Sequence, residues 1–169
     1  MGLSVLVVCS ANICRSPMAE HLLRARSGLD VASAGTAALV GRPIDSASAH
    51  ALRELGIDAG DHVARQLGPA LVDAADLVLT ATLRHRAEVI ADSPTATSKT
   101  FTIREFARLA ASTRLTRPAL IAALHSRREP PRPALDDIGD PFAAPYTQMR
   151  ACAAQLSAAV DDIVKALDR

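Results

Sequence analysis

The sequence predicts an α/β protein in which a parallel sheet is covered by helices. Short apolar, β-branched runs alternate with longer segments of helical periodicity, which is the pattern of strands buried on both faces. The chain has 169 residues, 49% of them hydrophobic, and a chain of this size folds as a single domain, 1–169, able to bury roughly 70% of its unfolded surface.

Leu3 to Cys9 (LSVLVVC) reads as the first, buried strand. Pro17 to Arg26 follows as a helix, with Met18, Leu22 and Leu23 on one stripe, Ser16 suited to its N-cap and Pro17 to its first position. Asp30 to Ser33 is a second strand, and Ala47 to Leu55 a helix ending before Gly56. Asp76 to Thr80 is a third strand, and Leu83 to Asp92 a helix stopped by Ser93-Pro94. Lys99 to Thr102 is a fourth strand and Thr147 to Leu167 the longest helix. Ser126 to Pro133 (SRREPPRP) cannot hold regular structure and reads either as a solvated loop or as the rim of a cleft, since Asp136, Asp137 and Asp140 follow it.

Nineteen basic and eighteen acidic residues leave a formal charge of +1, which excludes an acidic disordered tail and a polybasic patch. With three Phe, one Tyr and no Trp there are few stacking platforms, so nucleic acid is not the expected partner. The apolar run Val5 to Val8 is too short to span a bilayer and no secretory leader is recognisable, so the expectation is a cytoplasmic protein without membrane insertion. Three cysteines, Cys9, Cys14 and Cys152, make a disulfide framework improbable and leave thiol chemistry open. His21, His50, His62, His85 and His125 show no metal-ligand spacing, and neither metal nor cofactor is expected.

The chemistry-bearing segment is Cys9-Ser-Ala-Asn-Ile-Cys-Arg15-Ser16-Pro17, at the junction of a strand end and a helix start. Such a junction turns backbone N–H groups of Ser10, Ala11, Asn12, Ile13, Cys14, Arg15 and Ser16 toward one point, at the positive end of the helix. That is a cradle for an anion. The same field and Arg15 favour the Cys9 thiolate, the nucleophilic form, over the thiol. Arg15 offers a planar fork for two phosphate oxygens, and Ser16 a hydrogen bond to the sulfur. Cys14 is either a small buried hydrophobe or a reversible disulfide partner of Cys9.

The segment VLVVCSANICRSPMAE resembles the phosphate loop of the low molecular weight protein tyrosine phosphatases. Ser33-Ala-Gly-Thr36, Gly41-Arg-Pro43, His62-Val-Ala-Arg-Gln66, Asp76-Leu-Val-Leu79 and Asp140-Pro-Phe142 recur in that family's order. The resemblance implies a four-stranded parallel sheet with helices on both faces, a Rossmann-like three-layer fold. It further implies a phosphocysteine mechanism on phosphotyrosyl protein, with Cys9 as nucleophile, Arg15 as clamp and Asp140 as general acid and base. A network of Asn12, Ser16, Ser33 and His62 would hold the loop, Asn12 being tolerant of left-handed backbone. In bacteria such enzymes often serve beside a tyrosine kinase.

Departures from the family pattern bear on substrate. Ala11 stands where the family has Gly, adding a methyl near the phosphate. Ala37, Ala38, Leu39 and Val40 supply no ring-sandwiching aromatic, and Ala143 removes a second one, leaving Ile13, Leu39 and Phe142 as cleft walls. Relatives acting on phosphoarginine tend to carry Thr where Ile13 stands, which favours phosphotyrosine, with phosphoarginine or a small phosphoester as the alternative substrates. An arsenate reductase of the same fold is disfavoured, because no further cysteine lies between Cys14 and Cys152. A phosphoprotein-binding module without turnover is the remaining alternative, at odds with the presence of both a nucleophile and an acid.

Overall fold

The computed structural model describes residues 2–115 and 117–168. Four parallel strands, β1 (Ser4–Cys9), β2 (Asp30–Gly35), β3 (Leu77–Thr80) and β4 (Thr100–Thr102), form one sheet in the order β2-β1-β3-β4. Alternation along β1 assigns its side chains to two layers, as the two-residue period of a strand requires. Val5 and Val7 enter one core with Leu77, Leu79 and Val31, while Leu6 and Val8 enter a second with Val78 and Ala34.

The first core is covered by α1 (Arg15–Arg26), α2 (Ser46–Glu54), α5 (Ile103–Ala111), α6 (Arg117–Ser126) and α8 (Tyr146–Leu167). The second is covered by α3 (Pro69–Ala74), α4 (Leu83–Asp92) and a 3-10 turn at Pro94–Lys99, through Val72, Val89 and Ala96. Helices therefore lie on both faces. A short α7 (Pro133–Asp136) completes the chain's helices among the described residues.

All four expected strands and all four expected helices form, with ends shifted by a residue or two. One shift matters chemically. α1 begins at Arg15 with Cys14 at the N-cap, so Ser16 is not the cap and Pro17 is the third helical residue. Proline is tolerated there because the first four helical N–H groups have no intrahelical partner in any case. The Ser16 hydroxyl is thereby released for another role. α3, α5, α6 and α7 were not anticipated.

β1 is central, with β2 on one side and β3 on the other. The chain thus reverses its direction of winding beside β1, and the crevice beyond that strand's carboxyl end is where open α/β sheets bind ligands. Cys9 ends β1 and pairs in register with Gly35 at the end of β2.

Candidate active site

Between β1 and α1 the loop turns around Asn12, whose φ of 57° lies in the left-handed region. Asparagine accepts that conformation more readily than most residues. The loop's carbonyls are all bonded from outside it. Thr36 N donates to Cys9 O at 2.9 Å, Ala37 N to Ser10 O at 3.0 Å, Leu39 N to Ala11 O at 3.0 Å and Asp45 N to Ile13 O at 2.8 Å. His62 Nε2 donates to Asn12 O at 2.8 Å. With carbonyls held outward, the amides of Ala11 to Cys14 have no acceptor among the described residues and are left for an anion.

A buried polar chain runs from this loop into the protein. Asn12 Nδ2 donates to Ser16 Oγ at 2.9 Å and to Ser33 Oγ at 2.8 Å. Ser33 Oγ in turn donates to Glu20, whose side chain is also 2.9 Å from Arg24. Because Ser16 Oγ accepts from Asn12, its own proton is free to face the Cys9 sulfur 2.9 Å away. Arg65 adds two bonds, its N–H to Asn12 Oδ1 at 2.9 Å and its Nε to Ser33 O at 2.8 Å.

On the opposite side, Ser10 Oγ and His85 Nε2 share a hydrogen bond of 2.8 Å, and His85 Nδ1 another of 2.8 Å with Thr82 Oγ1. His85 is buried. That burial, with the Arg15 charge second, pushes its pKa down to about 4, so the ring is neutral at pH 7.

Arg15 lies under the cleft with Nη1 donating to Ile138 O at 3.0 Å and Nη2 3.0 Å from Asp140 Oδ2. Its Nε is buried without a hydrogen-bond partner among the described residues, a donor suited to an oxyanion. Asp140 stands at the mouth, its side chain 54% exposed. Its Oδ1 accepts from Phe142 N at 3.2 Å, so Asp140 closes a turn rather than capping a helix. Cys9, Arg15 and Asp140 line one cavity of about 70 Å³ together with Ala11, Ile13, Cys14, Leu39 and Phe142.

Comparison with known proteins agrees with this geometry. The family model described as low molecular weight phosphotyrosine protein phosphatase matches residues 4–118. The chain belongs to that family. It is 44% identical over 103 residues to a probable low molecular weight protein-tyrosine-phosphatase, EpsP, of Ralstonia solanacearum, covering 60% of this chain and 71% of the relative. It is 33% identical over 172 residues to a protein-arginine-phosphatase of Geobacillus stearothermophilus, covering 99% of this chain and 97% of the relative. Among solved structures, the Erwinia amylovora tyrosine phosphatase AmsI superposes with a TM-score of 0.80 at 29% identity, over 100% of this chain and 95% of that one.

In this phosphatase the residues expected from the sequence come together as follows. Cys9, Arg15, Asp140, Ile13, Leu39 and Phe142 share the cleft, and Asn12, Ser16, Ser33 and His62 form the network behind it. Ser10 contributes its backbone to the loop, but its side chain turns away to His85 and Arg84. Ala11 is outside the left-handed region, so the family's glycine is not needed for conformation, and its methyl forms part of the cleft wall. Asp136 and Asp137 are separated from the cleft. Asp136 is buried against Arg108, and Asp137 Oδ1 accepts from Leu83 N at 2.7 Å.

Cys14 and Cys152 are buried free thiols, and burial raises the pKa of each to about 12. At neutral pH both are protonated, as small hydrophobes would be. Among the described residues no group of three or more His, Cys, Asp or Glu is placed to hold a metal ion, and no helix is long and apolar enough to cross a membrane.

Reading the residues alone missed Gly35, Glu20, Arg65 and His85. A Cβ on Gly35 would lie 2.2 Å from Ser10 O and 3.0 Å from Asn12 N, so only glycine lets β2 approach the loop this closely. Its signal was present within Ser33-Ala-Gly-Thr36. Glu20 and Arg65 likewise lie within VLVVCSANICRSPMAE and His62-Val-Ala-Arg-Gln66, but for them and for His85 no spacing rule announces the role.

Proposed function

We propose that this phosphatase hydrolyses phosphotyrosine in proteins, as one catalytic domain over residues 1–169, with Cys9 as nucleophile, Arg15 as clamp and Asp140 as general acid and base. The observation that carries the reading is the meeting of these three side chains on one small cleft whose other walls, Ala11, Ile13, Leu39 and Phe142, are apolar.

In the first step the Cys9 thiolate attacks phosphorus in line, an S–P bond forms, and the bond to the phenolic oxygen breaks as Asp140 delivers its proton to that oxygen. In the second, water attacks the phosphorus and gives a proton to Asp140, and the S–P bond breaks to return thiolate and inorganic phosphate. The amides of residues 10–16 and the Arg15 guanidinium take the equatorial oxygens in both steps. Ser16 supports the sulfur as attacking and as leaving group. The steps use neither metal nor organic cofactor. A phosphotyrosyl protein is the partner, a bacterial tyrosine kinase included, met in the cytoplasm.

A second reading, phosphoarginine, is supported by the 33% identity to the Geobacillus arginine phosphatase along nearly the whole chain. Ile13 weighs against it, since an apolar side chain in the cleft suits a phenyl ring better than a guanidinium. Asp140→Ala tests the mechanism. It should lower kcat/KM for phenyl phosphate by about 10²-fold and far less for phosphates with good leaving groups. An equal loss on both would assign the proton to another group.

A further inference from the structure

The segment Ser126–Pro133, read from the sequence as a solvated loop or a cleft rim, is a solvent-exposed connection between α6 and α7 in which Arg128 alone is partly buried. Its Arg128 guanidinium lies 4.4 Å over the Phe101 ring and donates to Thr100 O on the edge strand β4 at 2.6 Å. Arg128 Nε is also 3.1 Å from Glu105 Oε1. One end of the segment is thus fixed to the sheet edge.

The other end is tied at Arg132 to Asp136 of α7. This carboxylate is 2% exposed, and both of its oxygens are used. Oδ1 accepts from Arg108 Nη2 at 3.0 Å and Oδ2 from the Arg132 N–H at 2.8 Å. Glu129 ties the same partners a second time, accepting from Arg108 Nη1 at 2.8 Å and from Arg132 Nη2 at 2.7 Å.

From Asp136 the chain is pinned at consecutive residues up to the cleft. Arg104 Nη1 donates to Asp137 O at 3.0 Å, and Asp137 Oδ1 accepts from Leu83 N at 2.7 Å. Ile138 N donates to Ala81 O at 2.9 Å, and Ile138 O receives Arg15 Nη1 at 3.0 Å. Only Gly139 separates that carbonyl from Asp140.

We infer that the Ser126–Pro133 segment is a strap that sets the position of Asp140, and that Asp136 is the positioning residue through which it acts. The inference rests on the reading of Asp140 as general acid. An exposed acid on a turn delivers its proton efficiently only if the turn is held, since a displacement of about 1 Å can cost about 10²-fold. A buried carboxylate with charge-assisted bonds from two elements is a stiff anchor for such a turn. Arg104 and Asp137 carry the constraint forward along the backbone.

The test compares kcat/KM over a series of aryl phosphates of graded leaving-group acidity, together with thermal melting, for the wild type, Asp136→Asn, Glu129→Gln and Asp140→Ala. Asp136→Asn should lower kcat/KM about 10-fold for phenyl phosphate and less than about 2-fold for 4-nitrophenyl phosphate, steepening the leaving-group dependence. Glu129→Gln, on a side chain 42% exposed, should act in the same direction to a smaller extent and carries the test if Asp136→Asn fails to fold. A lower melting temperature with an unchanged leaving-group dependence would reduce the strap to a structural element and overturn the inference. If Asp140→Ala itself leaves that dependence unchanged, the acid assignment falls and the strap's role with it. If Asp140→Ala steepens it and the strap variants do not, only the strap is overturned.

Discussion

Gly35 shows how one missing side chain shapes the site. Its partner across the sheet is Cys9, and the 2.2 Å that a Cβ would have to Ser10 O is a clash with backbone that no side-chain rotation relieves. Gly35→Ala should therefore displace the loop and lower kcat/KM by about 10²-fold while Cys9, Arg15 and Asp140 all remain; steady-state kinetics on a phosphotyrosyl peptide would read this, and an unchanged rate would contradict the packing. Cys9 and Arg15 were legible in the sequence, because a cysteine, five residues and an arginine between a strand and a helix leave a local pattern, whereas Asp140 stood apart from Asp136 and Asp137 only through the resemblance of Asp140-Pro-Phe142 to the family. The roles of Glu20 and Arg65 were not legible. Each touches the loop through a contact that only the folded chain creates, Glu20 by way of Ser33 and Arg65 by way of Asn12.

At the scale of elements, the four strands and α1, α2, α4 and α8 followed from periodicity, whereas α3 and the helices between β4 and α8 did not. α5 carried a readable start. Thr102 and Glu105 form a capping box, with the Thr102 hydroxyl accepting from Glu105 N at 3.1 Å and Glu105 Oε2 accepting from Thr102 N at 3.2 Å, the spacing expected of that motif. The signal was hidden by the strand that ends on the same threonine. α6 begins with Arg117-Pro118 and carries few polar residues to mark a face, so its burial is known only from the fold. Leu120 and Leu124 are fully buried in the main core. Leu124→Ala should cost about 2–5 kcal/mol in denaturant unfolding; a cost near zero would mean that α6 does not pack on the core as described.

Over the whole molecule, the site is bound into the stability of the fold through His85. Its pKa of about 4 in the folded protein lies below the ordinary 6.5, so from pH 6.5 downward the unfolded chain binds a proton that the native state refuses. Stability is then constant above about pH 7 and falls as the pH drops toward 4, by about 2 kcal/mol between pH 8 and pH 5 from this group alone. His21, whose pKa burial also lowers, adds in the same direction. Urea unfolding of the wild type and of His85→Asn at the two pH values would isolate the effect, the variant losing less on acidification; equal losses would mean that His85 is not held neutral.

In the proposed mechanism Cys9 carries out phosphotyrosine hydrolysis in an apolar-walled cleft. The most direct test is phosphate release from a phosphotyrosyl peptide by the reduced protein without added metal, with Cys9→Ser and a phosphoarginyl peptide measured alongside. Release from phosphotyrosine should vanish in Cys9→Ser and exceed release from phosphoarginine. Release that survives in Cys9→Ser would remove the nucleophile assignment, a preference for phosphoarginine would overturn the substrate assignment, and peptide binding without release would make the chain a phosphoprotein-binding module.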